Sequence, residues 1–230
     1  MKSSGSSDDS INCQIIYTRI YEAIMENQLK PNYRLKEENL TKTFNVSRTI
    51  IREVLQRLAR DKMVYLEKNR GATVYYPSEK ESKDIFFARR VQEKGCVEKV
   101  ISNITIYDLV KLTEICKKEE QSLIQRNNRD SIKYSAQFHV AFTEIAKNKV
   151  ITDIVKGLAA RTSLIISAYG APLGCSCGNH HEFVELLKRK DKDKCLDWID
   201  EHFSKIETSL IFSNSVDISQ GFDFLIEKSD

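Results

Sequence analysis

Four histidines occur in the 230-residue chain, and all of them lie beyond residue 138. His139 falls within a segment of helical apolar spacing, and His180 and His202 fall in two further helical segments joined by a turn near Asp191. His180 stands eleven residues before Asp191 and His202 eleven after it. In an antiparallel helical hairpin, positions equidistant from the turn face each other, here about 15 Å up from it at 1.5 Å of rise per residue. Two such imidazoles and a third from a neighbouring helix make a facial three-nitrogen site for a divalent metal inside a bundle. Three unrelated histidines, solvated or hydrogen-bonded in a core, satisfy the same spacing.

A second group of residues points to a different chemistry. Arg48 and Arg52 are four apart, so they share one face of a helix that would run from about Arg48 to Asp61. Arginine reads guanine O6 and N7 with two parallel bonds, and Thr49 beside it suits a phosphate or a thymine methyl. Gln56 lies off the apolar face of the same helix. Downstream, Lys68, Arg70 and Gly71 sit at the tip of a hairpin that can follow the DNA backbone or enter a minor groove. A solvated amphipathic helix with two surface arginines gives the same pattern.

Other reactive residues are less organised. Cys175-x-Cys177 lies in a Gly/Cys/Pro-rich loop just before His180, a tight spacing for a soft metal or redox site and equally an incidental pair of thiols. Arg89 and Arg161 lie on helices that would line a helical cavity, where they would pair with an anionic effector; surface ion pairs are the competing reading. A metal-dependent hydrolase or lyase built on the three histidines is the alternative function. It needs a general base beside the metal, and the chain has no H-E-x-x-H, only Glu182 after His181. His181 itself is read as a surface residue.

These residues need elements to hold them. Helical apolar spacing runs over 11–27, and a short helix fits Lys36 to Phe44. Asn45-Val46 then makes a turn, with Ser47 as the cap of the helix carrying Arg48. That helix turns Ile51, Val54, Leu55 and Leu58 inward. Two β-prone runs, Met63–Leu66 and Ala72–Tyr76, flank a polar turn and predict a hairpin. From about Ser82 onward helical patterning predicts helices near 82–102, 106–126, 130–146, 150–169, 180–189 and 192–213. The expected organisation is a disordered tail over 1–10, a winged helix-turn-helix over 11–78, a helical effector-binding domain over 79–215 and a C-terminal tail over 216–230. The fold class is mainly α.

Composition agrees with a DNA-docking head on a neutral body. Net charge is +3, but residues 11–78 hold twelve Lys/Arg against seven Asp/Glu, a net of +5. No apolar run long enough for a membrane span occurs, and the first residues have no apolar stretch of a secretory signal. Six scattered cysteines in such a chain are expected as reduced thiols in the cytoplasm.

The run Asn45-Val46-Ser47-Arg48-Thr49-Ile50-Ile51-Arg52-Glu53-Val54-Leu55-Gln56-Arg57-Leu58 closely resembles the recognition region of the GntR family of bacterial regulators. Leu29-x-Pro31-x-x-Arg34-Leu35 resembles the approach to that region, with Asn32 where glycine is usual, and Arg70-Gly71-x-x-Val74 resembles the wing. Ile50 replaces the usual Pro or Thr. The resemblance implies that Arg48, Thr49, Arg52 and Gly71 contact operator DNA. Residues 84–203 are similar to the FCD sensor domain of the FadR-type branch. The similarity is carried by Arg89-x-x-x-Glu93, by Phe138-His139 followed by Asn148, and by His180, Leu187, Asp191 and His202-Phe203.

In many such domains one Asp and three His bind a divalent metal that then takes a carboxylate effector. The histidines carry over to His139, His180 and His202, but the expected Asp is Ser135. The resemblance therefore implies a metal such as zinc, nickel or manganese held without its carboxylate ligand; Asn148 joins Arg89 and Arg161, read above as lining the cavity, in the expected effector-facing set. The expected function is that of a homodimeric, non-enzymatic repressor of double-stranded operator DNA whose operator affinity is controlled by a small carboxylate.

Overall fold

The computed structural model describes residues 5–26, 28–67, 71–170 and 180–212. The described chain up to Tyr76 forms one compact unit and the chain from Pro77 a second. The first unit contains α1 (Gly5–Met25), β1 (Arg34–Leu35), α2 (Glu37–Phe44), α3 (Arg48–Arg60), β2 (Val64–Glu67) and β3 (Gly71–Val74). Its core is Ile20, Ile24, Leu29, Leu35, Leu40, Ile51, Val54, Leu58 and Val74, all essentially sealed from solvent. Burying these side chains at about 1.5–3 kcal/mol each is what fixes α1 and α2 against α3. α1 begins at Gly5, so residues 5–10, expected as tail, are helical.

The turn between α2 and α3 follows from local chemistry. Asn45 closes α2 in the left-handed region at φ 51, which Asn tolerates better than most residues. The Ser47 hydroxyl accepts the Ile50 amide hydrogen at 3.4 Å and starts α3. Asn32, where the resemblance has glycine, also takes a positive φ of 66. β1 has no counterpart in the sequence reading, being too short for a periodic signal. It pairs antiparallel with β3, Arg34 opposite Thr73 and Leu35 opposite Ala72, and β2 lies on β3's other edge.

The second unit is a bundle of α4 (Glu79–Asn103), α5 (Ile106–Ile124), α6 (Asn128–Ile145), α7 (Lys149–Tyr169), α8 (His180–Arg189) and α9 (Lys192–Ser209). α6 packs on α4, α5 and α7, while α9 packs on α4 and α8. Several helices begin a few residues earlier than periodicity suggests because polar caps start them. Ser78 caps α4, Asn127 caps α6, Asn148 caps α7 and Asp191 caps α9, and Thr105 with Asp108 forms a reciprocal capping box on α5. Phe86, Phe138, Phe142, Phe183 and Phe203 fill the centre. Cys96, Cys116 and Cys195 are buried among them as free thiols; burial pushes the Cys116 and Cys195 thiols up to about 12. Among the described residues, no helix is long and apolar enough to cross a membrane.

Gly71 holds the small sheet together. Its φ is 100, and a Cβ there would stand 2.1 Å from the Leu35 carbonyl oxygen, inside the β1–β3 pairing. Gly71→Ala is therefore expected to destabilise the first unit by roughly 1–3 kcal/mol or more. The loss should appear as a lower urea midpoint for that unit; an unchanged midpoint contradicts the packing role.

Candidate functional site

The exposed side of α3 carries the residues expected to face DNA. Arg48, Thr49, Arg52 and Gln56 are exposed, while Ile50 and Ile51 turn into the core. Ile50, the position at which the sequence departs from the family pattern, is thus a packing residue. Arg52 Nε donates to both carboxylate oxygens of Glu37 at 3.0 Å, across the turn from the start of α2. Spacing along the sequence gives no sign of that contact. It steadies the guanidinium while leaving its two terminal nitrogens outside the pair, the arrangement in which arginine can grip a base edge. Gly71, expected at the DNA, is buried, and its lack of a side chain serves β1. Arg70, like Cys175 and Cys177, lies outside the described residues.

The helical unit brings His139, His180 and His202 together from α6, α8 and α9. All three are buried. His139 Nε2 lies 3.0 Å from His202 Nε2 and 3.3 Å from His180 Nε2. The outer nitrogens of two rings are fixed by carboxylates: Nδ1 of His139 is 2.6 Å from Glu93 Oε2, and Nδ1 of His180 is 2.6 Å from Glu119 Oε2. A carboxylate only accepts, so each Nδ1 carries a hydrogen and each ring turns its Nε2 toward the centre. Trp198 stacks on His202 with ring centres 4.7 Å apart, and Phe138 covers His180 at 4.4 Å. These contacts leave the imidazoles little rotational freedom.

The donor set fits a divalent metal. Metal–nitrogen bonds of about 2.1 Å put adjacent ligand nitrogens about 3.0 Å apart at a right angle and about 3.4 Å apart at the tetrahedral angle. The two inner distances lie within that range. Without a proton or cation between them, two bare Nε2 lone pairs at such distances repel.

The other expected residues separate. Arg89 is buried beside the cluster: its Nε is 2.7 Å from Glu93 Oε1, its Nη1 donates to Thr162 Oγ1 at 2.5 Å, and its Nη2 is buried without a hydrogen-bond partner. The chain Arg89–Glu93–His139 therefore links α4 to the centre. Asn148 has a different task, since its side-chain oxygen accepts the Ile151 amide and caps α7. Arg161 pairs with Glu81 at the start of α4, eight residues and so about 12 Å along that helix from Arg89. Ser135 is half-buried one turn before His139 on α6. His181 is half-buried, with Nε2 3.6 Å from Glu120. Glu119 escapes sequence reasoning altogether; nothing there separates it from the other acidic residues of α5.

Known proteins resemble both units. The sequence profile described as bacterial regulatory proteins, gntR family, matches residues 13–74, and the FCD domain matches 84–205. A transcriptional repressor of Escherichia coli K12, RspR, is 22% identical over 200 residues, covering 86% of this chain and 88% of its own length. The gluconate operon transcriptional repressor of Bacillus licheniformis is 28% identical over 184 residues, 75% of this chain and 74% of its own. The solved structure of E. coli McbR/YncC superposes with a TM-score of 0.74 at 21% identity, covering 84% of this chain and 94% of that one, and so shares the fold.

Burial holds the His139 and His202 imidazoles well below the usual 6.5, with the nearby positive charges adding to the effect. In the unfolded chain both rings take up protons below about 6.5, whereas the folded rings do not. The unfolded state then binds more protons, so stability falls as pH drops from about 7.5 toward 5.5, by roughly 1–3 kcal/mol per pH unit for two such groups. Urea unfolding of the chelator-treated protein across that range checks the slope, and His202→Gln should flatten it. A stability that rises on acidification contradicts neutral buried rings.

Proposed function

Because the chain belongs to the GntR family of bacterial regulators that carry an FCD domain, we propose that it is a cytoplasmic repressor that responds to a small carboxylate. It is a regulator of transcription rather than an enzyme, since both of its units match regulatory domains and its relatives are transcriptional repressors and regulators. In the proposed action the chain forms a homodimer, and two copies of α3 enter successive major grooves of a near-palindromic operator. Arg48, Thr49, Arg52 and Gln56 read or steady the DNA, with Arg70 on the wing. Effector binding shifts the population between geometries that fit and do not fit the two half-sites.

One observation carries the effector reading: the Nε2 atoms of His139, His180 and His202 converge, and Arg89, linked to His139 through Glu93, buries an Nη2 with no hydrogen-bond partner among the described residues. A divalent metal on His139, His180 and His202 supplies a Lewis-acidic position for a carboxylate oxygen, and the Arg89 guanidinium supplies a second. One relative is named for the gluconate operon, and gluconate belongs to that chemical class. Hydrolysis at the centre would need a free base, and the two carboxylates that touch the histidines, Glu93 and Glu119, are committed to Nδ1 hydrogens.

Arg48→Ala and Arg52→Ala should each weaken specific operator binding by about 1–3 kcal/mol without changing the unfolding midpoint. Fluorescence titration at fixed salt reads this directly, because phosphate contacts make affinity depend on salt. Wild-type affinity in both variants sinks the assignment of α3. Light scattering at micromolar concentration should give twice the 26.5 kDa chain mass, and a monomer with and without DNA excludes the two-half-site mode.

A further inference from the structure

We propose that Glu119 is the charge partner of the metal centre, supplying through His180 the negative charge that Ser135 does not provide, and that the centre is therefore an all-nitrogen site for borderline cations. This rests on the metal reading given above and identifies the residue and the cation class on which that reading turns.

The two carboxylates that grip the histidines differ in their own surroundings. Glu93 is neutralised locally, because Arg89 Nε lies 2.7 Å from its other oxygen. Glu119 is buried on α5, and among the described residues its ion-pair partner is His180. Among the described residues no lysine or arginine balances that carboxylate, so its charge acts on the centre through the His180 ring alone. A dication on His180 Nε2 balances it across the ring: the metal draws electron density from the imidazole, and the carboxylate strengthens its hold on the Nδ1 hydrogen. Glu119 is thus a positioning residue, acting on the metal through His180.

The charge balance has a second consequence. With Glu93 cancelled by Arg89, a dication and Glu119 leave the centre with one net positive charge, matched to a monocarboxylate. Three imidazoles and no ligating carboxylate favour zinc, cobalt or nickel over the harder manganese, which depends on oxygen donors. An aspartate at position 135 would return the charge to the first coordination sphere and reduce that discrimination.

The test uses the full chain stripped with chelator and titrated with Zn²⁺, Co²⁺ and Mn²⁺, following the visible spectrum of bound Co²⁺ and the unfolding midpoint. The wild type should bind Zn²⁺ and Co²⁺ at least about 100-fold more tightly than Mn²⁺. Glu119→Gln keeps the shape and a hydrogen-bond acceptor but loses the charge. It should weaken Zn²⁺ and Co²⁺ by about 10–100-fold while leaving the metal-free protein as stable as wild type or more so. A purely structural role predicts the opposite, a loss of stability in the metal-free form. Adding Ser135→Asp to Glu119→Gln should restore metal affinity and narrow the gap to Mn²⁺. Less than about threefold weakening in Glu119→Gln, or a destabilised metal-free variant, overturns the inference alone. A wild type that binds none of the three cations at about millimolar concentration overturns the metal reading and this inference together.

Discussion

The helical unit is organised by the cost of placing polar nitrogen in a dry interior. Three imidazoles converge, the inner nitrogen of His139 lying 3.0 Å from that of His202 and 3.3 Å from that of His180, surrounded by Phe138, Trp198 and Phe203. No apolar residue is forced into such a position, and no isolated imidazole gains by it. The arrangement is stable only if the rings' outer nitrogens and the carboxylates that hold them find partners. That requirement draws in all six helices: α6, α8 and α9 bring the rings, α4 and α5 bring Glu93 and Glu119, and α7 brings Thr162 to hold Arg89. The bundle topology can be understood as the packing that lets these six contributions meet.

Much of this frame is written in local sequence signals, and the reasons differ by residue. The hairpin of α8 and α9 is legible because Asp191 marks its turn and helical rise is constant, so His180 and His202 come level, with ring centres 5.0 Å apart. The α2–α3 turn is legible because Asn45 and Ser47 each have a conformational preference that suits one place in it. Helix starts differ from the periodic pattern by a few residues where the cap precedes the first apolar position, as at Ser78 and Asn127.

What stays hidden is contact across long sequence separations. Glu119 lies 61 residues from His180 and resembles every other acidic residue on a solvated helix. Asn148 stands in the same run as His139 and groups with it by motif, yet the position that starts α7 turns its side chain back to the backbone. Gly71 shows a second demand that the sequence hides. Its place in the wing suggests approach to DNA, but the demand for a missing side chain comes from Leu35, brought alongside by a two-residue strand too short to predict.

On the function proposed above, the link between an effector and the DNA-directed unit runs through α4. Its first turn follows Pro77 directly after the DNA-directed unit in the chain, and its Arg89 and Glu93 belong to the polar network around His139. An anion that engages the Arg89 Nη2 shares the guanidinium with Glu93, which holds Nε, and so changes the forces on α4 relative to α6. A ligand shifts a conformational equilibrium only by its difference in affinity for the two states, typically about 1–3 kcal/mol for an allosteric coupling. A charge-assisted bond to a buried, otherwise unpaired guanidinium nitrogen is of that size. One carboxylate oxygen at Arg89 therefore suffices in energy, provided that the contact exists in only one of the two positions of α4.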